Sequence, residues 1–235
     1  MNKLLIIAAC LAAQGAYAAD SRDFDANGLT KVSVENYNGE VSINAVDGAK
    51  STVTVTKNTM PDMCKVNAER SGAKLSIEVK RQGKAECQVD IDVKVPKMVK
   101  LDLEVGTGKV TVKGTQGHLD FKMGAGSFIA DGTFDSVDGK TGAATTEIKG
   151  ITGNTEFKTG SGNVTLQYSS LPAKGKLEFK NGSGNSTLLL PKGSQINAKL
   201  TAYTGKMENE FGSNKDSKFS VEAKSGSGDL KVISY

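Results

Sequence analysis

Five times the chain sets a Gly-x-Gly inside an alternating apolar run: VGTGKVTV from Val105, MGAGSFIA from Met123, TGSGNVTL from Thr159, NGSGNSTL from Asn181 and SGSGDLKV from Ser225. With the second glycine of each as origin, the corners are Gly108, Gly126, Gly162, Gly184 and Gly228. Ala144 and Gly205 fit the same frame, and the steps are 18, 18, 18, 22, 21 and 23 residues. A period near twenty residues belongs to stacked supersecondary units, each too small to bury its own apolar face.

A strand with one dry face must alternate with period two, so apolar residues should recur at fixed offsets from each corner. Five residues before it stand Leu103, Phe121, Phe157, Phe179, Leu200 and Ala223, with Gly139 as the exception. Seven before stand Leu101, Leu119, Val137, Thr155, Leu177, Ala198 and Val221. Two after come Val110, Phe128, Thr146, Val164, Ser186, Met207 and Leu230, and four after come Val112, Ala130, Ile148, Leu166, Leu188, Asn209 and Val232. Gly39 joins as an outlying member, with Val32 and Val34 before it and Val41 and Ile43 after. Each unit reads as strand, glycine corner, strand, turn. The predicted fold is an all-β, single-stranded β-solenoid with Gly-x-Gly-cornered rungs of 18 to 23 residues. Seven rungs about 4.8 Å apart make a rod of roughly 30–35 Å.

Residues 19–100 read as irregular first coils or a cap, continuous with the regular array over 101–235. Within them, STVTVTK, KVNAE, KLSIEVK and CQVDIDVKV alternate as strands, and Ser71-Gly72-Ala73 is a hairpin turn. The first eighteen residues, MNKLLIIAACLAAQGAYA, have the charged start, apolar run and Ala-x-Ala ending of a secretory leader cut between Ala18 and Ala19. Cys10 imitates a lipoprotein box, but only nine residues precede it and the apolar run continues beyond it. No later stretch reaches the ~18–20 apolar residues of a membrane-spanning helix. In an exported chain the two remaining cysteines, Cys64 and Cys87, are a candidate disulfide, the alternative being two buried free thiols.

The glycines do not form a phosphate loop, because such a loop feeds a helix and here an alternating strand follows each time, as in Thr107-Gly108-Lys109-Val110. Corners need φ > 0 or close backbone approach, which accounts for them without a ligand. The chain has one histidine, His118, beside Gly117 in a turn between rungs, where it reads as a surface residue rather than as the base of a catalytic triad. Asp90 with Asp92, and Asp102 with Glu104, lie on single strand faces, as clustered acids do in carbohydrate-cleaving solenoids and as solvated faces do generally. No paired Cys-x-x-Cys units suggest zinc, one Gly-Ser-Gly-Asp at 226–229 suggests no calcium array, and no cofactor is implied.

Thr52, Thr54 and Thr56 form one threonine row without counterparts in the other rungs, and Tyr235 closes an ordinary last strand rather than a membrane-barrel strand of ~9–11 residues. Thirty basic against 26 acidic residues, with Lys94, Lys97 and Lys100 as the only local basic run and no tryptophan, argue against nucleic acid as a partner.

The order NGEVSI, VDIDVKVPKMVKLDLEVGTGKVTV, repeated GSGN units, STLLLPKGSQINAKLTAYTGKM and a closing SGSGDLKV resembles the bacterial putative-adhesin β-strand-repeat family, a domain of unknown function, from about Leu29 to Tyr235. The resemblance implies a β-solenoid in exported or surface proteins and carries over no catalytic or binding residues. The expectation is an exported, non-enzymatic, adhesin-like interaction module, periplasmic or at the cell surface. Its wet faces meet a protein or polysaccharide of the envelope; the alternatives are a carbohydrate-active solenoid enzyme or a structural envelope scaffold.

Overall fold

The computed structural model describes residues 19–47, 50–59 and 63–235; the leader, Cys10 and Ala18 lie outside them. In chain order the strands are β1 (Ala19–Asp25), β2 (Lys31–Ala45), β3 (Lys50–Thr59), β4 (Cys64–Ser71), β5 (Lys74–Arg81), β6 (Gln88–Val95), β7 (Lys100–Ser161), β8 (Val164–Tyr168), β9 (Gly175–Ser183), β10 (Ser186–Leu190), β11 (Asn197–Thr204), β12 (Met207–Asn209), β13 (Phe219–Ser227) and β14 (Leu230–Ser234). All belong to one 14-stranded sheet, and no helix occurs among the described residues.

Alternation buries one side of the strands inside the stack. Leu101, Leu103, Val105, Val110 and Val112 are buried on either side of the Gly108 corner, and the residues between them face solvent. The two legs of a unit close on each other: Phe121 before the Gly126 corner and Phe128 after it stack with ring centroids 3.8 Å apart. Units lie in parallel register. Val32, Gly39 and Val41 of β2 sit on Leu101, Gly108 and Val110 of β7; Thr155, Phe157 and Thr159 sit on Leu177, Phe179 and Asn181. The corner glycines therefore form a column. At Gly126, φ is +121°, and a Cβ there would lie 1.9 Å from the Gly108 carbonyl oxygen, so both backbone conformation and close stacking require glycine. Ala144 takes the corner between Gly126 and Gly162 without a positive φ.

The Gly139 exception has a packing cause. A Cβ there would fall 2.5 Å from rings of Phe121 and Phe157, whose centroids are 5.7 Å apart, so these two rings occupy the space the missing side chain leaves. Phe157 continues onto Phe179 at 6.0 Å, making an aromatic file along the stack.

Stack order differs from chain order at both ends. The C-terminal unit of β13 and β14 lies between the β9–β10 unit and the β11–β12 unit: Val221 pairs with both Leu177 and Ala198, and Leu230 with both Ser186 and Met207. The Gly205 unit, expected inside the array, is thus its terminal rung. That explains why its frame residues fail to bury: Met207 is 55% exposed, whereas Leu230 at the same offset is fully buried. At the other end, β2 lies between β7 and the unit of β5 and β6, to which it also pairs in parallel. The Gly39 rung, the outlying member of the frame, thus lies directly against β7, and beyond the β5–β6 unit β3, β4 and β1 run antiparallel. The predicted hairpin is present, with Ser71 paired to Lys74 and Gly72 at φ +56°.

Cys64 and Cys87 are bridged, with Cα atoms 5.9 Å apart across a separation of 23 residues. The bond ties the start of β4 to the entry of β6. Both cysteines are buried in the core cluster.

Candidate interaction face

Each unit presents two wet legs, and they differ in order. On the second leg, positions one, three and five after the corner mix residue types, from Lys109, Thr111 and Lys113 to Asn185, Thr187 and Leu189. On the first leg, the position six before the corner is acidic in six stacked units: Asp102, Asp120, Asp138, Glu156, Glu178 and Glu222. The position four before is lysine in the five units from the Gly126 corner to the Gly228 corner: Lys122, Lys140, Lys158, Lys180 and Lys224. In register, Glu156, Glu178 and Glu222 lie side by side, as do Lys158, Lys180 and Lys224. The result is two adjacent stripes of opposite sign along the stack, about 4.8 Å between charges within a stripe.

Ion pairs run within and between units. Lys158 meets Glu156 at 2.6 Å, Lys224 meets Glu222 at 2.6 Å, Lys122 meets Glu104 at 3.9 Å and Lys100 meets Asp120 at 2.8 Å. The Lys158 contact holds the Glu156 carboxyl below its ordinary range, and Lys224 does the same for Glu222. Conversely, the Lys158 and Lys224 ammonium groups are raised by those carboxylates. These pairs are solvent-exposed, so each contributes little to stability.

Beside the lysine stripe, two residues before the corner, runs a strip without side chains: Gly106, Gly124, Gly142, Gly160, Gly182 and Gly226. None of these has a positive φ, yet a Cβ on each would lie 2.3–2.7 Å from a carbonyl oxygen of the neighbouring unit. Close stacking alone requires them. A groove of about 370 Å³ opens over the first three, bordered by Tyr37, Glu104, Lys122 and Lys140. In the frame, Tyr37 and Tyr203 hold the corresponding position at the two ends of the strip.

The residue after the corner has a structural task. Asn163 Oδ1 accepts the Asn185 N–H at 3.0 Å, Asn185 Oδ1 accepts that of Asp229 at 3.1 Å, and Asp229 Oδ1 accepts that of Lys206 at 2.9 Å. Asp90 Oδ1 accepts the Glu40 N–H in the same way at 2.8 Å, and Asp92 accepts Asn44 Nδ2 at 3.2 Å. The Asp90 and Asp92 pair is thereby engaged in joining β6 to β2. His118 is exposed and its Nδ1 lies 2.6 Å from Asp135 Oδ1. Lys97 pairs with Asp47 at 3.0 Å, so two of the three residues in the basic run, Lys97 and Lys100, are engaged in ion pairs. Thr52 donates to Asp23 Oδ1, and Tyr235 donates to the Tyr168 carbonyl. Among the described residues, no group of three or more His, Cys, Asp or Glu side chains is placed to hold a metal ion, and no helix is long and apolar enough to cross a membrane.

Taken together as one polar class, the wet positions hide the two stripes; their offset from the corner, the same frame that orders the dry positions, separates them.

No family model and no curated protein matches the chain. Among solved structures, it is similar to a putative cell adhesion protein from Clostridium sporogenes ATCC 15579, at 13% identity over 93% of this chain and 99% of that one, with a TM-score of 0.41. A putative adhesin from Bacteroides fragilis NCTC 9343 is 12% identical over 92% and 98%, with a TM-score of 0.44. A putative lipid binding protein from Parabacteroides distasonis ATCC 8503 is 13% identical over 92% and 96%, with a TM-score of 0.46. At these identities and TM-scores the likeness carries nothing over to binding or activity.

Proposed function

We propose that the chain is an exported, non-enzymatic β-solenoid that acts as an interaction module of the bacterial envelope, binding a protein or polysaccharide through the wet face of its first legs. The observation that carries this reading is the order of that face. Units that share a frame vary in residue type on the second leg yet carry carboxylates in six units and lysines in five on the first. A merely solvated surface needs charge, not charge of one sign at one offset. The reading also draws on the leader-like first eighteen residues, which support export.

The test is to screen the mature protein on a glycan array and by pull-down from envelope extracts, beside Lys140→Glu/Lys158→Glu/Lys180→Glu. Specific capture lost in the variant supports the reading; capture unchanged by it moves the binding surface elsewhere. Hydrolase or lyase activity abolished by Asp90→Asn or Asp92→Asn would replace it with an enzymatic role.

A further inference from the structure

The two stripes specify what would complement them: a surface carrying one acidic and one basic file, parallel, at the same spacing. This face itself is such a surface. The acidic and lysine positions are two residues apart on each strand, about 6.6–7 Å, and both files run along the stack. A two-fold axis parallel to the stack and midway between them carries each file onto the other. Two copies facing each other across that axis set Glu156 and Glu178 of one opposite the lysine file of its partner, and Lys158 and Lys180 opposite the acidic file. A two-fold axis across the stack does the reverse, placing acid on acid and lysine on lysine. Charge therefore selects one symmetric arrangement, which is closed and cannot extend into a fibre.

Two further features suit that contact. The glycine strip beside the lysines carries no side chains, so nothing along it rises above the lysine stems to hold a partner away. The area is also sufficient: six units at ~4.8 Å by legs of about eight residues at ~3.3 Å give roughly 1,500 Å² across both copies, within the ~1,200–2,000 Å² of specific interfaces.

We propose that the first-leg face docks on a second copy of this chain about a two-fold axis parallel to the stack, acidic stripe against lysine stripe. This rests on the reading of that face as the binding surface and names its partner. Complementary surface charge gives specificity and fast association more than affinity, so the dimer is weak and salt-sensitive.

The experiment uses sedimentation velocity on the mature protein across a salt series, with two charge-reversed variants whose folds are checked by circular dichroism. One, Lys140→Glu/Lys158→Glu/Lys180→Glu, makes the face acidic; the other, Asp138→Lys/Glu156→Lys/Glu178→Lys, makes it basic. The expected result is a wild-type dimer at low salt that dissociates as salt rises, two monomeric variants, and a dimer restored when the variants are mixed. Should reversal unfold either chain, neutral Gln and Asn replacements of one stripe must also abolish the dimer. A wild type monomeric at low salt, self-association surviving in both variants, or a mixture that stays monomeric overturns the proposal. Glycan or envelope-protein capture lost in the acidic variant, with no self-association, would leave the face as a binding surface and remove only its partner.

Discussion

Gly142→Ala isolates what inter-unit stacking demands of the backbone. Gly142 has no positive φ, so alanine meets no intrinsic backbone strain there. Its Cβ would instead lie 2.5 Å from the Gly124 carbonyl oxygen, 0.9 Å inside the 3.4 Å of ordinary contact. The obstacle is backbone, so relief requires two adjacent units to separate locally. A gap of that size costs ladder hydrogen bonds worth about 0.5–1.5 kcal/mol each, along with core packing worth about 1–3 kcal/mol when overfilled. The unfolded chain loses entropy on the same replacement, returning about 0.4–1 kcal/mol. The net expectation is a destabilisation of about 1–3 kcal/mol. Equilibrium urea unfolding should show a lower midpoint with an unchanged slope, while Lys140→Ala, two residues away on the same leg and solvent-facing, should shift stability by less than about 0.5 kcal/mol. A Gly142→Ala protein as stable as wild type would refute close stacking as the reason for the glycine strip.

Phe157→Ala, which empties the middle of the file between Phe121 and Phe179, should cost about 3–5 kcal/mol by the same measurement. Reducing the Cys64–Cys87 bridge should lower stability by about 3 kcal/mol, read from unfolding with and without reductant; no change would mean that the cap does not limit unfolding. Burial raises the Tyr168 phenol above its ordinary range, and its hydroxyl donates to Thr155 Oγ1 at 2.7 Å. The stability this contributes is complete below the unfolded tyrosine range near pH 10 and falls as pH rises beyond it. Ultraviolet titration should find one phenol that ionises only on unfolding, and Tyr168→Phe should remove that signal. Lowered Glu156 and Glu222 carboxyls contribute above the ordinary carboxylate range and lose that contribution as pH falls below it through their own lowered values. Lys158→Met should return the Glu156 carboxyl toward its ordinary value in an NMR titration.

Periodicity made the dry side of this protein legible. Leu101, Phe157, Leu177 and Val232 were placed in the core by offset alone, and each is buried. Spatial order was not legible, because identical units offer identical seats. Nothing in SGSGDLKV says that it docks on STLLL on one side and MEN on the other, which leaves Met207 outside. The polar Asn209 at a dry offset is the hint in the sequence that the Gly205 unit ends the stack. For the candidate site, the residues were all in view as Asp, Glu and Lys between the apolar positions. Their division into two files depends on stacking, which converts residues roughly twenty apart in sequence into neighbours.

Inserting the first and last units of the chain beneath their sequence neighbours alters how the molecule comes apart. In a stack laid down in chain order, each end unit hangs by one connection and can peel away alone. Here the outermost C-terminal unit, 197–209, is tethered by the chain on both sides, and the last strands, β13 and β14, lie in a unit gripped from above and below. Tension applied at Ser234 must slide an interior layer out between two others instead of unzipping an edge. The same interleaving governs synthesis: residues 197–209 cannot reach their final seat until 219–234 have emerged and taken the layer beneath them. A chain cut short after Asn209 therefore lacks an internal layer, and β11 and β12 lose the strands they pair with.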